Sequence, residues 1–373
     1  MYLIVGAGIT GITLAERIAS DGKQVTLIDK RDHIGGNCHD CPSENRTFVH
    51  TYGPHIFHES DEKIIAYLSR FTDWVKYRHR VVALHDGAYY PIPINRTTVN
   101  RFFGVELQTE KSVREFLREK REPIAQIASS RDVVVSKFGV ELYGAFFHHY
   151  TKKQWDLFPE ELDKSVFERL PIRYDDNPYY FNDTFQGLPK NGYTKMFESM
   201  VDHPNIRIEL GTEFSAIDHP ERFTLIVYTG RIDQYFGRRY GTLDYRCIQF
   251  EFERILKTNF QPYAVVNYPG PDRAFTRITE FKHFYPGTGA SGTMDEDLPG
   301  RNDETIICRE YPSWEGEPSY PVINPANLDL YKRYAELAKA ERNVIFAGRS
   351  GTFRYLNMNQ AVSESLKLFE KIR

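Results

Sequence analysis

Three glycines near the start of the chain have the spacing that suits a bound dinucleotide. Gly6, Gly8 and Gly11 form the motif G-x-G-x-x-G directly after an apolar run over residues 2–5. The first glycine of such a motif makes a tight turn, the second lets the backbone approach a pyrophosphate, and the third allows a helix to pack closely on a strand. Asp29 lies 18 positions after Gly11, where a carboxylate can accept hydrogen bonds from a ribose hydroxyl. The motif in this context predicts a dinucleotide site, against the alternative of a glycine-rich turn without a ligand.

A second group of glycines favours FAD over NAD as this dinucleotide. Gly35 and Gly36 lie within residues 31–37, where the chain can approach the flavin side of the cofactor. Far along the chain, residues 346–349 repeat the pattern of a strand and a turn, before a helix that starts near Met358. A large flavin needs contacts from elements that are remote in sequence, whereas single-domain NAD folds usually do not. We therefore predict FAD.

Arginines and aromatic residues elsewhere in the chain have the chemistry to bind a phosphorylated substrate. Arginine forks fit phosphate geometry, and tyrosine combines a flat ring with a hydroxyl donor. The candidates are Arg169, Arg173, Arg246, Arg277, Tyr180, Tyr311 and Tyr355, with Phe146, Phe147, Tyr150 and Trp155 as rings that can stack on a base or a sugar. Each residue alone is more often structural than functional, so the prediction depends on the fold bringing them together.

The cysteines do not indicate a metal or disulfide framework. Cys38 and Cys41 have the spacing of a redox or zinc pair, but there is no second CxxC, so a loop with free thiols is the favoured interpretation. The sequence also lacks a G-x-S-x-G motif, an H-E-x-x-H motif and a P-loop. We therefore expect no metal site, and we expect the cofactor to supply the chemistry.

Composition limits the partners and the location. The chain has 373 residues, a net charge of -3 and 27% charged residues, so no overall field attracts nucleic acid or acidic membranes. No segment approaches the run of ~20 apolar residues that spans a bilayer, and the first strand leaves no room for a signal peptide. We expect a cytoplasmic enzyme that binds neither nucleic acid nor membrane.

The elements that position these residues follow from periodicity and turn signals. The N-terminal part is a βαβ unit with strands over 2–5 and 25–28, and Ser112 begins a capping box that opens a helix toward Lys120. Further predicted elements are helices over 61–70, 131–153 and 360–372 and strands over 80–84, 88–94, 223–228, 246–252, 263–268, 277–284 and 343–347.

These elements predict an α/β fold: an FAD-binding, Rossmann-like (doubly wound) domain with an inserted helical domain and an antiparallel β-sheet domain. The predicted domains are an FAD-binding domain over 1–75, 190–235 and 320–373, a helical insertion over 96–165, and a sheet or substrate domain over 76–95, 166–189 and 236–319.

Seven segments together resemble the bacterial UDP-galactopyranose mutase family. The resemblance runs essentially end to end, and the strings over residues 53–58 and 150–155 are much more specific than the glycine motif. The segments are residues 5–8, 31–37, 52–58, 150–155, 169–173, 276–280 and 348–358.

The resemblance implies a reaction in which a flavin works without net redox change. That family interconverts UDP-galactopyranose and UDP-galactofuranose through a flavin N5–sugar adduct, and it needs reduced FAD. A UDP-sugar substrate, a homodimer and a role in galactofuranose biosynthesis for cell-surface polysaccharide are implied with it.

The resemblance also implies roles for particular residues. Arg169, on a mobile loop, and Arg277 match a diphosphate clamp, and His58 matches the segment beside the isoalloxazine. The implied substrate-binding residues are Phe146, Phe147, Tyr150, Trp155, Arg173, Tyr180, Arg246, Asn267, Tyr311, Tyr355 and Asn357. The implied cofactor-binding residues are Gly6, Gly8, Thr10, Gly11, Asp29, Lys30, Gly36, Asn37, His55, Ile56, Gly348, Arg349, Asn357 and Met358.

Two departures from the family leave the substrate open. Asn357 stands where many members carry Asp near the sugar, and His79 stands where some carry Asn. UDP-N-acetylgalactosamine or a dTDP- or GDP-linked sugar therefore remains an alternative substrate. The alternative functions are an oxidoreductase of the amine-oxidase type and a cofactor-free regulator like those that bind prenylated GTPases, although the latter tend to lose the glycine motif that is intact here.

Overall fold

A parallel sheet of five strands forms the centre of the dinucleotide-binding part. The computed structural model describes residues 1–44, 47–168, 171–285 and 303–373. Short apolar strands build the sheet, and residues such as Leu3, Ile4 and Leu27 are fully buried in it. Its strands, in spatial order, are Ile206–Glu209, Val25–Ile28, Tyr2–Val5, Leu225–Tyr228 and Val344–Phe346.

Helices cover this sheet as in a Rossmann-like fold. Helix Ile9–Ser20 packs against helices Gly192–Val201 and Met358–Ile372, and its apolar residues Ile12, Leu14 and Ile18 join one core. Helix Pro325–Ala340 contacts the edge strand Val344–Phe346. The predicted α/β class and the N-terminal βαβ unit are confirmed.

A larger, mostly antiparallel sheet lies beside the first. Its strands, in spatial order, are Pro318–Pro321, Tyr245–Ile255, Thr305–Ser313, Arg277–Glu280, Val265–Asn267, Val81–His85 and Ala88–Ile92. The pair Val265–Asn267 and Val81–His85 runs parallel, so this sheet is mixed and not wholly antiparallel as predicted.

Smaller elements complete the description. Two further sheets pair Asp40–Pro42 with Phe48–His50, and Phe57–Glu59 and Trp74–Lys76 with Phe185–Pro189. The remaining helices are Glu62–Leu68, Arg96–Phe103, Glu110–Lys120, Ser130–Phe138, Val140–Tyr143, the π-helix Gly144–His148, His149–Trp155, Ser165–Glu168, Ile232–Tyr235 and Gly348–Gly351. Single 3₁₀ turns span Gly36–Cys38, Phe214–Ala216, Pro220–Arg222 and Phe281–Phe284.

Helices over residues 96–155 enclose a separate core of Val99, Leu117, Val134, Phe138 and Leu142, all fully buried.

Within this region, the residue predicted to cap the helix that runs toward Lys120 was wrong. Thr109, and not Ser112, is the N-cap of helix Glu110–Lys120, and Ser112 is its reciprocal partner three residues later. Thr109 and Ser112 both carry the hydroxyl that a capping box requires at its N-cap. The sequence analysis chose Ser112 and therefore placed the start of the helix about one turn late.

Three other predictions differ from the structure. The helix predicted over 131–153 is broken at Gly139, whose φ of 87° ends helix Ser130–Phe138. The strand predicted over 277–284 ends at Glu280 and continues as a 3₁₀ turn, and the predicted turn at Gly348 is a short helix. Helix Pro325–Ala340 was not predicted. The boundaries of the three domains stay a prediction.

Candidate active site

A cleft of about 620 Å³ opens at the carboxyl end of the parallel sheet. This volume lies within the roughly 300–1,000 Å³ of typical small-molecule sites. Twelve of the residues predicted to bind the cofactor line it: Gly6, Gly8, Thr10, Asp29, Lys30, Gly36, Asn37, His55, Gly348, Arg349, Asn357 and Met358. The other two have supporting positions, because Gly11 lies in the helix behind the turn and Ile56 is buried in the core.

The glycines of this cleft are required by close backbone contacts. Gly6 has a φ of 105°, and a Cβ there would lie 2.1 Å from Thr229 Oγ1. A Cβ on Gly11 would lie 1.9 Å from the Gly6 carbonyl oxygen, so helix and strand meet as the motif predicts. Gly36 has a φ of 55°, and a Cβ there would lie 2.9 Å from Gly8 Cα.

The start of helix Ile9–Ser20 is a site for an anion. Gly8 is its N-cap and has no side chain to occupy the first N–H groups, which leaves them and the positive end of the helix dipole for a phosphate. Asp29 fixes the turn beside it, since its carboxylate accepts the N–H of Ala7 at 2.7 Å and of Arg31 at 2.9 Å. Open space at Gly8, bare N–H groups and a neighbouring carboxylate fit a dinucleotide.

The sequence analysis did not predict several residues that line the cleft. Phe214, Tyr228 and Tyr235 form an aromatic group with ring centroids 5.1–5.6 Å apart, and they line the cleft. Glu317 also lines it and accepts from Lys30 at 2.9 Å and Arg31 at 3.3 Å. No motif marks these residues, because they come from segments that only the fold brings to the glycines.

The CxxC segment has a structural role in the fold. Asp40 accepts the N–H of Tyr193 at 2.6 Å and of Thr194 at 2.8 Å, which satisfies the start of helix Gly192–Val201. Burial raises the pKa of the Cys38 thiol to about 12, while Cys41 is exposed. Among the residues that the structure describes, no group of three potential metal ligands comes together.

His55 presents a neutral imidazole to the cofactor cleft. Its Nδ1 donates to the Gly53 carbonyl at 2.8 Å, so its Nε2 carries the lone pair. Its backbone N–H donates to His50 Nδ1 at 3.0 Å, which fixes the loop. Burial lowers the pKa of His55 to about 4. At neutral pH, His55 is therefore an oriented hydrogen-bonding group without charge.

His58 lies with a different set of residues. Its Nδ1 and Asp183 Oδ2 are 2.8 Å apart, and its ring stacks on Phe181 with centroids 3.7 Å apart and planes at 13°. His55 and not His58 lines the cofactor cleft, so a catalytic role for His58 stays a prediction.

Arg277 lies in a row of polar side chains that crosses three strands. Asn267 and Glu310 are its direct cross-strand neighbours, so all three side chains lie on one face of the sheet. Arg277 Nη2 and Glu310 Oε2 are 2.7 Å apart. Burial alone would lower the pKa of Arg277, but the charge of Glu310 raises it well above its ordinary value. Arg277 Nε, Asn267 Oδ1 and Glu310 Oε1 have no partner among the described residues, and they are the groups a polar substrate would satisfy.

Four tyrosines surround this arginine. Desolvation raises the pKa of Tyr150 and of Tyr180, and the charge of Arg277 lowers it in both. Tyr355 and Tyr320 stack in parallel, with centroids 5.5 Å apart and planes at 9°. The structure therefore brings together Arg277, Tyr150, Tyr180 and Tyr355 as predicted, and it adds Tyr320, which no sequence pattern indicated.

Arg349 joins the cofactor cleft to this cluster. It lines the cleft, and its guanidinium carbon lies 5.7 Å from the ring centroid of Tyr320 and 5.2 Å from that of Tyr355. It donates to the carbonyls of Ser319 at 2.8 Å and Leu356 at 2.7 Å. A molecule bound in the cluster would therefore lie next to the cofactor.

Two predicted arginines are engaged by the protein itself. Arg173 donates to the carbonyls of Tyr179 and Tyr180 and to Asn182 Oδ1, so it holds the loop that carries Tyr180. Arg246 donates to the Gln154 carbonyl at 3.0 Å, at the end of the helix that carries Tyr150 and Trp155. Both arginines position predicted substrate residues.

Other predicted rings lie outside the cluster. Phe146 is 5% exposed in the helical core, and Phe147 packs on Phe138 and Phe167. Tyr311 follows Glu310 and lies on the opposite face of the strand, where its hydroxyl donates to Glu251 at 2.6 Å. Arg169 lies outside the described residues.

Comparison with known proteins identifies the family. Residues 145–355 match the model of UDP-galactopyranose mutase, and residues 4–71 match that of an NAD(P)-binding Rossmann-like domain. The chain is 39% identical to a probable UDP-galactopyranose mutase of Klebsiella pneumoniae, over 98% of the chain and 92% of that protein. The chain belongs to the UDP-galactopyranose mutase family.

A further relative and a solved structure are also similar to this chain. The chain is 34% identical to dTDP-fucopyranose mutase of Escherichia coli, over 98% of the chain and 96% of that protein. A crystal structure of reduced UDP-galactopyranose mutase has the same fold, with a TM-score of 0.78 and 15% identity over 100% of this chain and 93% of that one.

Family membership confirms several predictions. The UDP-galactopyranose mutase family consists of flavoprotein isomerases, so the predicted class of enzyme is confirmed, and an amine-oxidase type of chemistry is not supported.

No helix in the described parts of the chain is long and apolar enough to cross a bilayer.

Proposed function

We propose that the protein interconverts UDP-galactopyranose and UDP-galactofuranose and that it needs reduced FAD to do so. The observation that carries this proposal is the adjacency of two sites. The cleft at Gly8 fits a dinucleotide, and Arg349 links it to a cluster of one paired arginine and four tyrosines. Such a cluster matches the diphosphate of a nucleotide sugar in charge and hydrogen-bonding capacity.

Arg277 stabilises the departing diphosphate. Ring contraction requires the bond between the sugar and the diphosphate to break, which places additional negative charge on the leaving oxygen. A guanidinium that is already fixed by Glu310 at 2.7 Å meets this charge without reorganising. Arg169, as the resemblance implies, is the second arm of this clamp.

The tyrosines orient the substrate, and the cofactor supplies the nucleophile. Tyr150, Tyr180 and Tyr355 have hydroxyls whose pKa is raised by desolvation, so they remain protonated and donate hydrogen bonds to phosphate oxygens. Bound FAD in its reduced form supplies a nucleophilic nitrogen that can displace the nucleoside diphosphate. Gly6, Gly8, Asp29 and Gly36 hold the cofactor.

A dTDP-linked sugar is the second candidate substrate. The 34% identity to dTDP-fucopyranose mutase covers nearly the whole chain, as does the identity to the UDP-galactopyranose mutase relative. His79 and Asn357, which depart from the family pattern near the sugar, are consistent with a different sugar.

A panel of nucleotide sugars tests the proposal. Dithionite-reduced protein is incubated with UDP-galactopyranose, UDP-N-acetylgalactosamine, dTDP-fucopyranose and a GDP-linked sugar, and the products are separated by anion-exchange chromatography. A furanose product from UDP-galactopyranose supports the proposal. A product from the dTDP-sugar alone transfers it to that substrate, and the absence of any product from all four contradicts it.

The role of Arg277 has its own test. Arg277→Ala should lower turnover at least about a hundredfold, because it removes one strong electrostatic contact to the transition state. The flavin absorbance of the purified variant should equal that of the wild-type protein. Arg309→Ala is the matched control, because Arg309 lies on the next strand and pairs with Glu253 on the outer face. Loss of flavin from the Arg277 variant would contradict its assignment.

A homodimer and a cytoplasmic location stay predictions. Light scattering of the purified protein and cell fractionation measure each of them directly.

A further inference from the structure

Three exposed cations follow one another along the segment that leads into the larger sheet. Lys76, Arg78 and Arg80 are exposed, and they alternate in sequence with Tyr77 and His79, which are buried. Such alternation places successive side chains on opposite sides of the chain. The three cations therefore form a basic row on the outer side of this segment.

The basic row lies next to the solvent-exposed side of the cluster around Arg277. The carbonyl of His79 accepts the N–H of Tyr180 at 2.7 Å, and the rings of these two residues lie 5.8 Å apart. Tyr180 is 40% exposed, so the cluster is open to water on this side. A substrate that enters past Tyr180 therefore passes close to the charges of the row.

Tyr179 holds two members of the row in place. The guanidinium carbon of Arg78 lies 3.5 Å from the ring centroid of Tyr179, and that of Arg80 lies 5.0 Å from it. Arg80 Nη2 also donates to the Tyr179 hydroxyl at 3.3 Å. Because Tyr179 directly precedes Tyr180, both guanidinium groups are held beside the open side of the cluster and remain in contact with water.

The charges of the basic row are not compensated by ion pairs within the described parts of the chain. The nearest acidic residues in sequence on either side of Tyr179 have other partners, since Asp176 pairs with Arg96 and Asp183 with His58. The whole chain has a net charge of -3 and so does not attract anions. The row is therefore a local positive field on the side where an anionic substrate would enter.

Exposed charges change how fast an anion arrives more than how tightly it is held. Solvent and salt screen each surface contact once a ligand is bound. The summed field of several like charges, however, acts over a longer range and raises the rate of encounter with an oppositely charged ligand. The basic row has the exposure and the charge that this effect requires.

We infer that the basic row is an electrostatic guide that draws the diphosphate of the nucleotide sugar toward the cluster around Arg277. The inference rests on the proposed function, because it needs an anionic substrate. It assigns Lys76, Arg78 and Arg80 to the rate of association and not to the chemical step.

Stopped-flow binding to the reduced holoenzyme tests this inference. UDP and dTDP are the probes, and tryptophan and flavin fluorescence report their binding. At an ionic strength of about 0.01 M, where the Debye length is about 30 Å, the double variant Arg78→Gln and Arg80→Gln should bind the preferred diphosphate about fivefold more slowly than the wild-type protein. At about 1 M, where the Debye length is about 3 Å, the two association rates should be equal. The dissociation rate should not change at either ionic strength.

A second double variant separates charge from packing. Arg78→Lys with Arg80→Lys keeps both charges but removes the planar contacts with Tyr179. This variant should associate as fast as the wild-type protein.

Arg239→Gln with Arg333→Gln is the matched control. These two exposed arginines also lie over a tyrosine ring, that of Tyr240, at 5.8 and 4.0 Å from its centroid. They lie at helix Pro325–Ala340 of the dinucleotide-binding part, so their loss removes the same charge from another surface. The association rate of this variant should equal that of the wild-type protein.

Equal association rates of the wild-type protein and the first glutamine variant at low ionic strength would overturn the inference. A loss that persists at high ionic strength, or that the lysine variant or the matched control shares, would overturn it as well. Failure of the wild-type protein to bind either diphosphate would instead contradict the proposed function, so the two failures are distinguishable.

Discussion

The guanidinium of Arg277 donates to the carboxylate of Glu310 across two antiparallel strands, with 2.7 Å between Nη2 and Oε2. Glu310 is 1% exposed, so its charge is compensated chiefly by this arginine. The pair fixes the direction of the guanidinium before a substrate binds. We therefore regard Glu310 as the residue that positions the proposed diphosphate clamp.

Replacing Glu310 should destabilise the protein. Glu310→Gln keeps the shape of the side chain but leaves the largely buried guanidinium without a counter-charge, which should lower the free energy of unfolding by about 3 kcal/mol. Urea denaturation measures this. Glu253→Gln is the control, because Glu253 pairs with Arg309 near the surface, and such pairs contribute about 1 kcal/mol or less. Equal losses of unfolding free energy in the two variants would contradict the role of Glu310 as the buried counter-charge of Arg277.

Gly8→Ala should weaken cofactor binding without disturbing the fold. The nearest protein atom to a Cβ at Gly8 is Gly36 Cα at 3.9 Å, so the protein itself has room for the methyl group. The methyl group would instead occupy the space where a pyrophosphate approaches the helix. We expect at least about a tenfold loss of FAD affinity, measured from flavin absorbance during reconstitution of the apoprotein.

Gly144→Ala is the control for this prediction, since a Cβ there meets no atom within 4 Å. Both variants should remain folded as apoproteins, with thermal unfolding as cooperative as that of the wild-type apoprotein. Unchanged FAD affinity of Gly8→Ala would contradict the placement of the pyrophosphate.

Local patterns predicted the glycine turn of the dinucleotide site, because the parts of that turn are close in sequence. The motif of Gly6, Gly8 and Gly11 and the carboxylate of Asp29 belong to one βαβ unit, where spacing alone fixes their geometry. The break of the helix at Gly139 was not evident, because it depends on contact with another segment: a Cβ there would lie 2.5 Å from the Lys120 carbonyl oxygen.

The substrate cluster could be predicted only in part. Tyr150, Arg277 and Tyr355 were identified through a family resemblance, whereas Glu310 and Tyr320 were missed. These two residues acquire their roles from cross-strand pairing with partners 33 and 74 positions away, Arg277 and Arg246. No periodicity within a single strand encodes such a pairing.

Lys153 should make stability depend on pH. Its ammonium donates to the carbonyls of Tyr268, Arg273 and Phe275 at 2.5–3.1 Å, and desolvation lowers its pKa to about 8. Between pH 8 and the ordinary pKa of 10.5, the unfolded chain holds this proton more tightly than the folded chain does. The contribution of Lys153 to the free energy of unfolding should therefore rise with pH across this window.

Urea denaturation of the wild-type protein and of Lys153→Met at about pH 7.5, 9 and 11, which lie below, within and above this window, checks this sign. The difference in unfolding free energy should move in favour of the wild-type protein as the pH rises. Lys152→Met, which removes an exposed lysine that pairs with Asp156, should show no such trend. A difference that falls with pH would contradict the assignment.

His79 should influence which sugar is accepted. Its ring lies 5.8 Å from that of Tyr180 and 5.9 Å from that of Phe181, and burial lowers its pKa to about 3, so it is neutral at physiological pH. His79→Asn should change the ratio of kcat/KM between UDP-galactose and a competing nucleotide sugar by about tenfold or more, the range for altered contacts in a sugar pocket. His219→Asn, on the exposed surface, should leave this ratio unchanged. An unaltered ratio in the His79 variant would exclude that residue from the choice of sugar.

The redox dependence of isomerisation tests the central claim most directly. Purified protein is incubated with UDP-galactofuranose in its oxidised form and after reduction with dithionite, and the pyranose product is quantified by chromatography. We predict a yellow protein that forms the pyranose only after reduction, with many turnovers per reduced flavin. Equal turnover by the oxidised protein, or a colourless protein that is active, would contradict the account.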